Sequence, residues 1–158
     1  MAKYNEEVLE RRIHLGNFPT PLQQLSRLGQ KYMQPTLWIK RDDLTDVALG
    51  GNKIRKLEFL LSAALEAGAD TLLTFGGPQT NHGRLTAAVA ARYGLKCILV
   101  LDGREPDELS GNLILDNLLG ADVRFVKPAL RNEMVEEVVE EYESQGHKVF
   151  IIPMGGSN

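Results

Sequence analysis

Apolar and polar positions change period several times along this chain, and the changes mark its elements. Residues 4–32 show helical spacing only in pieces, interrupted at Gly16, Pro19 and Pro21, so short helical pieces are expected there. Residues 37–40, Leu-Trp-Ile-Lys, read as a short strand, and residues 42–51 as a polar, turn-rich connection. The stripe Ile54, Leu57, Leu60, Leu61 and Ala64 predicts a helix with Asn52 as N-cap and Gly68 as its stop. Strands and helices then alternate. Strands are expected at 71–75, 97–101, 123–126 and 149–152. Between them lie helices at Asn81–Tyr93, ended by Gly94, at 110–119, capped by Ser110 and closed by Gly120, and at Arg131–Ser144.

Continuous Val/Ile/Leu strands separated by helices predict an α/β fold: an open parallel four-stranded sheet with helices on both faces, preceded by an N-terminal segment. The acidic run 133–143 carries Met134, Val135, Val138 and Val139 at helical spacing and reads as a helix with one solvated face. The last residues, Pro153-Met154-Gly155-Gly156-Ser157-Asn158, form a glycine turn where another helix would follow. The chain is therefore expected to be part of a longer one, and residues 1–50 have no evident pairing partner of their own.

Composition narrows the function. The 158 residues, 43% hydrophobic, suffice for a core. A net charge of −3 without a basic cluster argues against nucleic acid. The charged start MAKYNEEVLERR resembles neither a signal nor a transit peptide, and no apolar run reaches membrane-spanning length. A cytoplasmic protein without a membrane partner is the expectation. The single cysteine, Cys97, lies in an apolar strand and is expected to be buried and inert; no His/Cys/Asp/Glu spacing suggests a metal site.

Candidate chemistry concentrates at Gly50-Gly51-Asn52-Lys53-Ile54-Arg55-Lys56. Three cations follow a diglycine turn at a helix start, where the helix dipole disfavours positive charge. They are expected to answer something anionic, or to include an amine kept neutral. Lys53 and Lys56 share a helix face and disfavour each other's charge, which suits a nucleophilic lysine; two solvated surface lysines are the alternative. Ligands of open parallel sheets bind beyond the carboxyl ends of the strands, and two glycine turns meet that condition. In Gly76-Gly77-Pro78-Gln79-Thr80-Asn81-His82, Thr80 and Asn81 offer a hydroxyl and an amide beside free backbone N–H groups. The equal alternative is that Thr80 or Asn81 serves only as a helix cap, with Gln79 in solvent and His82 a ligand contact or a cap. The second turn, Gly155-Gly156-Ser157-Asn158, is expected on the same sheet edge. Serine-triad, G-x-G-x-x-G and Walker signatures are absent.

Phe18-Pro19-Thr20-Pro21-Leu22, Ile39-Lys40-Arg41-Asp42-Asp43-Leu44, the stretch 50–58, Gly76 to His82, Gly111-Asn112-Leu113 and Gly155 to Asn158 occur in order. Together they resemble the D-cysteine desulfhydrase and 1-aminocyclopropane-1-carboxylate deaminase family, pyridoxal-phosphate enzymes of the tryptophan-synthase-β fold type. The resemblance implies pyridoxal 5'-phosphate as cofactor and Lys53 as the Schiff-base lysine. It implies that Asn81 bonds the cofactor ring oxygen, and that Thr80, where the family usually carries serine, faces the substrate carboxylate. Lys56, Gln79 and His82 become second-layer or substrate-side groups. A lyase acting on a small amino acid follows, with D-cysteine elimination to pyruvate, ammonia and sulfide preferred, because the 155–158 turn looks closer to the desulfhydrases, and deamination of the cyclopropane substrate as the alternative. Residues 1–51 would be a segment packing into the large domain, and 52–158 the small domain. Family members run about twice this length, so the rest of the cofactor site is expected outside this chain, which alone would turn over little. The family tends to dimerise, which implies a homodimer. Readings of another class are a truncated, non-catalytic α/β binding module and a flavodoxin-like nucleotide binder, the latter without a phosphate fingerprint.

Overall fold

A computed structural model describes residues 11–33 and 36–157. A two-stranded antiparallel hairpin, β1 (Leu22–Gln24) and β2 (Trp38–Lys40), flanks the short helix α1 (Ser26–Lys31). After a 3-10 turn at Asp42–Leu44 come α2 (Ile54–Glu66), β3 (Thr71–Gly76), α3 (Asn81–Tyr93), β4 (Lys96–Asp102) and α4 (Asn112–Leu118). Strand β5 (Asp122–Val126), α5 (Arg131–Ser144), β6 (Val149–Ile151) and a 3-10 turn at Met154–Gly156 complete the order.

All pairings in the four-stranded sheet are parallel, in the order β5-β4-β3-β6. Successive side chains point to opposite faces, so neighbouring residues enter different cores. Leu72 and Leu99 join α2 and α3 on one face, while Leu73, Ile98 and Val100 join Val138 of α5 on the other. The acidic run of α5 is thus solvated only on its outer side, with Met134, Val135 and Val139 packed inward. From β3 the chain steps outward to β4 and β5, then returns to place β6 on the other side of β3. That reversal makes a crevice beyond the carboxyl ends of β3 and β6, the general location for a ligand.

Cys97 is buried, and burial pushes its thiol far above the ordinary range, as an inert cysteine requires. Among the described residues no helix is long and apolar enough to cross a membrane, and no cluster of His, Cys, Asp and Glu is placed to hold a metal.

Several expectations are corrected. Within the described part of 4–32, only Ser26–Lys31 is helical, and Leu22–Gln24 is a strand; residues 4–10 lie outside the described residues. Pro19 and Pro21 interrupt the helical pattern, and the backbone of 13–15 is engaged elsewhere: Ile13 N–H donates to Glu58 O at 3.0 Å and Leu15 N–H to Glu58 Oε1 at 3.0 Å. The N-terminal segment does have a pairing partner, since β1 and β2 pair with each other, and Leu15 and Val47 enter the core. Asn52 does not cap α2. Lys53 occupies the cap position, without a side-chain cap bond, and the Ile54 N–H is taken by Gly51 O at 3.3 Å. Nor does Ser110 cap a helix at 110: α4 begins at Asn112 with Gly111 at the cap. Gly111 has φ +57° and ψ −125°, a conformation open in practice only to glycine, so the helix cannot propagate back through it.

Candidate active site

The three cations at the start of α2 have three different surroundings. Arg55 is satisfied within the chain: its Nε and Nη2 donate to the two carboxylate oxygens of Asp42, both at 2.7 Å, and its guanidinium lies 4.6 Å from the Phe18 ring centre. This bidentate pair, with the Thr20 hydroxyl at 2.8 Å, holds the Asp42 carboxyl down to about 2. Lys56 turns to the second glycine turn, donating to Gly155 O at 3.0 Å and to Ser157 Oγ. Lys53 is half-buried, and its amine has neither a hydrogen bond nor an ion pair among the described residues. Of the three cations expected to answer something anionic, or to include a neutral amine, Arg55 answers a carboxylate of this chain, Lys56 bonds the second glycine turn, and Lys53 has no partner among the described residues.

The turn that delivers Lys53 is left-handed at Asp46, Ala48, Leu49 and Gly50. Gly50 is indispensable there. A Cβ on it would lie 2.8 Å from the Asp43 carbonyl carbon and closer still to its oxygen. Gly51 N–H donates to Asp42 O at 2.9 Å and Thr45 Oγ1 at 3.0 Å, which closes the turn onto the 3-10 segment.

Across the crevice, Thr80 is the N-cap of α3, its hydroxyl accepting from Gly83 N–H at 3.3 Å. The hydroxyl proton has no acceptor among the described residues. Asn81 Oδ1 accepts from Asn112 Nδ2 at 3.2 Å and from Arg84 Nη2 at 3.5 Å. With the oxygen taken by two donors, the amide nitrogen of Asn81, a donor, is left without a partner among the described residues. Gln79 is not a free surface side chain. Its Nε2 donates to Ser110 O at 3.0 Å, its Oε1 accepts from Asn112 N–H at 2.9 Å, and its carbonyl accepts from Asn112 Nδ2 at 2.9 Å. It latches the β3–α3 loop to the start of α4.

The Gly155-Gly156 turn lies over α2 and α3 on the same sheet edge, as the sequence predicts. A Cβ on Gly155 would stand 3.8 Å from Lys53 Nζ; one on Gly156 would stand 3.1 Å from His82 Cε1 and 3.4 Å from Lys56 Cδ. His82 is 2% exposed and neither ring nitrogen has a hydrogen-bond partner among the described residues. Burial, reinforced by the charges of Lys53 and Lys56, pulls its pKa down to about 4, so the ring is neutral at physiological pH.

Lys53, Lys56 and His82 thus gather beneath the second glycine turn. Thr80, Asn81 and Gln79 gather at the head of α3. The link between the two groups is a residue to which the sequence pattern assigns no role. Arg84, 5% exposed, donates through Nη1 to Ala48 O at 2.5 Å and through Nη2 to Gly50 O at 3.1 Å, besides reaching Asn81. Asn112 and the buried Asp116 carry no assigned role in the pattern either. One signal for Arg84 is present in the sequence: it is a lone arginine in the alanine-rich run 81–91, with no carboxylate three or four residues away to pair with it.

The chain matches the family model described as pyridoxal-phosphate dependent enzyme over residues 13–158. It is 50% identical over 151 residues to a Thermotoga maritima protein provisionally named 1-aminocyclopropane-1-carboxylate deaminase, covering 93% of this chain and 47% of that protein. It is 46% identical over 154 residues to a D-cysteine desulfhydrase of Yersinia pestis, covering 93% and 46%. Among solved structures, that of an ACC deaminase homologue superposes with a TM-score of 0.85 at 37% identity, over 98% of this chain and 49% of the other. The chain spans about half the length of these relatives. A match across nearly all described elements, joined to a lysine-bearing helix start at the sheet's switch point, leads to one conclusion: this chain belongs to the pyridoxal-phosphate dependent enzyme family.

Proposed function

We propose that this chain contributes the lysine-bearing half of a pyridoxal-phosphate lyase that acts on a small amino acid. D-Cysteine desulfhydration, α,β-elimination to pyruvate, ammonia and sulfide, is the reading we favour. Deamination of 1-aminocyclopropane-1-carboxylate is the alternative, supported by the name of the 50% identical relative. The observation that carries the proposal is the Lys53 amine, without a partner among the described residues, at the carboxyl edge of the sheet beside a glycine turn.

The residues present fit the cofactor. Lys53 supplies an amine close to the open side of Gly155, and a Cβ on Gly77 would meet nothing within 4 Å, which leaves room at the loop before α3. The donor N–H₂ of Asn81 suits an anionic ring oxygen. Lys53 would hold the cofactor covalently, and Asn81 would orient its ring. The cofactor, when bound, supplies an electron sink for a carbanion at the substrate α-carbon. Thr80, with its free hydroxyl proton at a helix N-terminus, would bind the substrate carboxylate. Gln79 keeps the Thr80–Asn81 loop against α4. His82 lines the floor as a neutral ring beneath Lys53 and Lys56. Lys56, bonded to Gly155 O, would hold the second glycine turn over Lys53.

In this proposal residues 52–158 are the small α/β domain. Residues 1–51 pack into a large domain through the hairpin that exposes Leu22, Trp38 and Ile39. The protein is cytoplasmic, binds no nucleic acid or membrane, and assembles as a homodimer.

The test is to incubate the protein with pyridoxal phosphate, reduce with borohydride and map the label by peptide mass. Label at Lys53 alone is expected, with sulfide release from D-cysteine expected of the intact enzyme that contains this half, since this chain alone would turn over little. Label scattered over surface lysines would refute the site and favour a non-catalytic α/β module. Release of 2-oxobutanoate from the cyclopropane substrate, without sulfide from D-cysteine, would reverse the substrate choice.

A further inference from the structure

Arg84 connects parts of the site that lie far apart in sequence. Its planar guanidinium donates to two carbonyls of the left-handed turn before Lys53, Ala48 O and Gly50 O, and to the carboxamide oxygen of Asn81. One rigid group therefore touches the turn before Lys53 and the side chain proposed above to orient the cofactor ring. A lysine could not replace it, because an ammonium is a compact point donor whereas the guanidinium presents its donors in a fixed plane.

Behind Arg84 stands Asp116 of α4. Asp116 is fully buried, and neither of its oxygens, nor Arg84 Nε, has a hydrogen-bond partner among the described residues. Burial pushes the Asp116 carboxyl up to about 6, while the charge of Arg84 favours its ionised form. A buried carboxylate without hydrogen bonds is unfavourable, and an apolar residue of similar volume would pack better. Its presence here calls for a reason other than stability. The charge that faces it is Arg84, the group that spans the site.

We propose that Arg84 is a positioning residue that couples the placement of the Lys53 turn to the orientation of the Asn81 amide, with Asp116 as its buried counter-charge. Asn112, the second donor to Asn81 Oδ1, also bonds Gln79 but has no bond to the turn before Lys53 among the described residues, so it acts on the Gln79–Asn81 loop without touching that turn. The consequence for cofactor binding rests on the roles proposed above for Lys53 and Asn81. The coupling itself does not, and can be measured without cofactor.

The experiment compares wild type, Arg84→Lys, Arg84→Ala and Asn112→Ala by amide hydrogen exchange without cofactor, then by pyridoxal-phosphate titration. In Arg84→Lys, exchange in peptides covering 46–53 should rise about tenfold, as expected for losing roughly one buried hydrogen bond, while α5 is unchanged. Methylguanidinium added to Arg84→Ala should restore protection in 46–53; this arm remains informative if the lysine variant folds poorly. Asn112→Ala should weaken cofactor binding while leaving exchange in 46–53 at the wild-type level. Wild-type protection of 46–53 in both Arg84 variants would overturn the coupling. So would Asn112→Ala deprotecting that turn as strongly as Arg84→Lys does. A wild-type protein that takes no label at Lys53 would refute the proposed cofactor site, while the exchange result would still decide the role of Arg84.

Discussion

Replacing Gly50 by alanine tests the geometry that delivers Lys53, and Gly94 provides a matched control. Both glycines have φ +69°, so alanine meets the same backbone penalty at each, about 1–2 kcal/mol. Their surroundings differ. A Cβ on Gly94 meets nothing within 4 Å, whereas on Gly50 it stands 2.8 Å from the Asp43 carbonyl carbon and 3.3 Å from Thr45 Oγ1. The first obstacle is backbone and cannot rotate away, so the turn must shift, at about 1–3 kcal/mol for overpacking. The shift endangers the Arg84 bond to Gly50 O and the Gly51 bond to Thr45 Oγ1, each worth about 1 kcal/mol. Gly50→Ala should therefore lose about 3 kcal/mol more than Gly94→Ala. For a chain of this size that is roughly 6–12 °C in Tm. Thermal and urea denaturation followed by far-ultraviolet circular dichroism measure the difference, and borohydride labelling of Lys53 should fall in Gly50→Ala alone. Two variants equal in stability within about 1 kcal/mol would refute the reasoning, because the clash would then be relieved without displacing the turn.

Three further outcomes follow from buried polar groups. Because the folded-state pKa of His82, about 4, lies below its ordinary 6.5, the unfolded chain binds the proton more readily between those values. Stability is complete above 6.5 and declines toward pH 4 by at most about 3 kcal/mol; His82→Leu should remove that decline, and parallel curves for the two proteins would contradict it. Asp116 has the opposite sign, since its folded-state pKa is raised to about 6 and its ionisation weakens the fold as pH rises from 3.8 through 6. Asp116→Asn should stabilise by at most about 3 kcal/mol at neutral pH and by almost nothing below pH 4, in urea melts across that range. Glu58→Ala strips the acceptor from Leu15 N–H and the partner from Arg12 at 3.7 Å, so it should cost about 2 kcal/mol and open 11–17 to proteolysis, with Glu58→Gln milder because it keeps the acceptor.

Elements set by local chemistry are legible in the sequence. Asn81–Tyr93 and Arg131–Ser144 have the bounds their periodicity predicts, because a helix depends on contacts three and four residues apart. The stops at Gly68, Gly94 and Gly120 follow for the same reason: each has a positive φ, and the residue after it bonds back into the helix. The helix starts are less legible. Asn52 and Ser110 have good capping side chains, yet Gly51 and Gly111 turn the backbone so that neither reaches its helix. Of the hairpin, the strand at Trp38–Lys40 is read from residues 37–40, whereas Leu22–Gln24 escapes the sequence pattern because it is only three residues long and gains its definition from its partner.

The alternation of strands and helices, read from the sequence by itself, determined a parallel α/β sheet and its carboxyl edge, where open parallel sheets generally take ligands. It also placed Lys53, Thr80 and Asn81 at helix starts on that edge, since βα geometry sends every such turn to the same end. What each charge answers was decided only by the tertiary structure. Three neighbouring cations, equivalent on paper, separate into Arg55 on Asp42, Lys56 on Gly155 and Lys53 with an amine unpartnered among the described residues. Arg84 finds Ala48 and Gly50, 36 and 34 residues away, and Lys56 finds Gly155, 99 residues away. Local propensity acts within about one turn of chain, whereas these partners meet only because burial packs α2, α3 and the last glycine turn around one crevice.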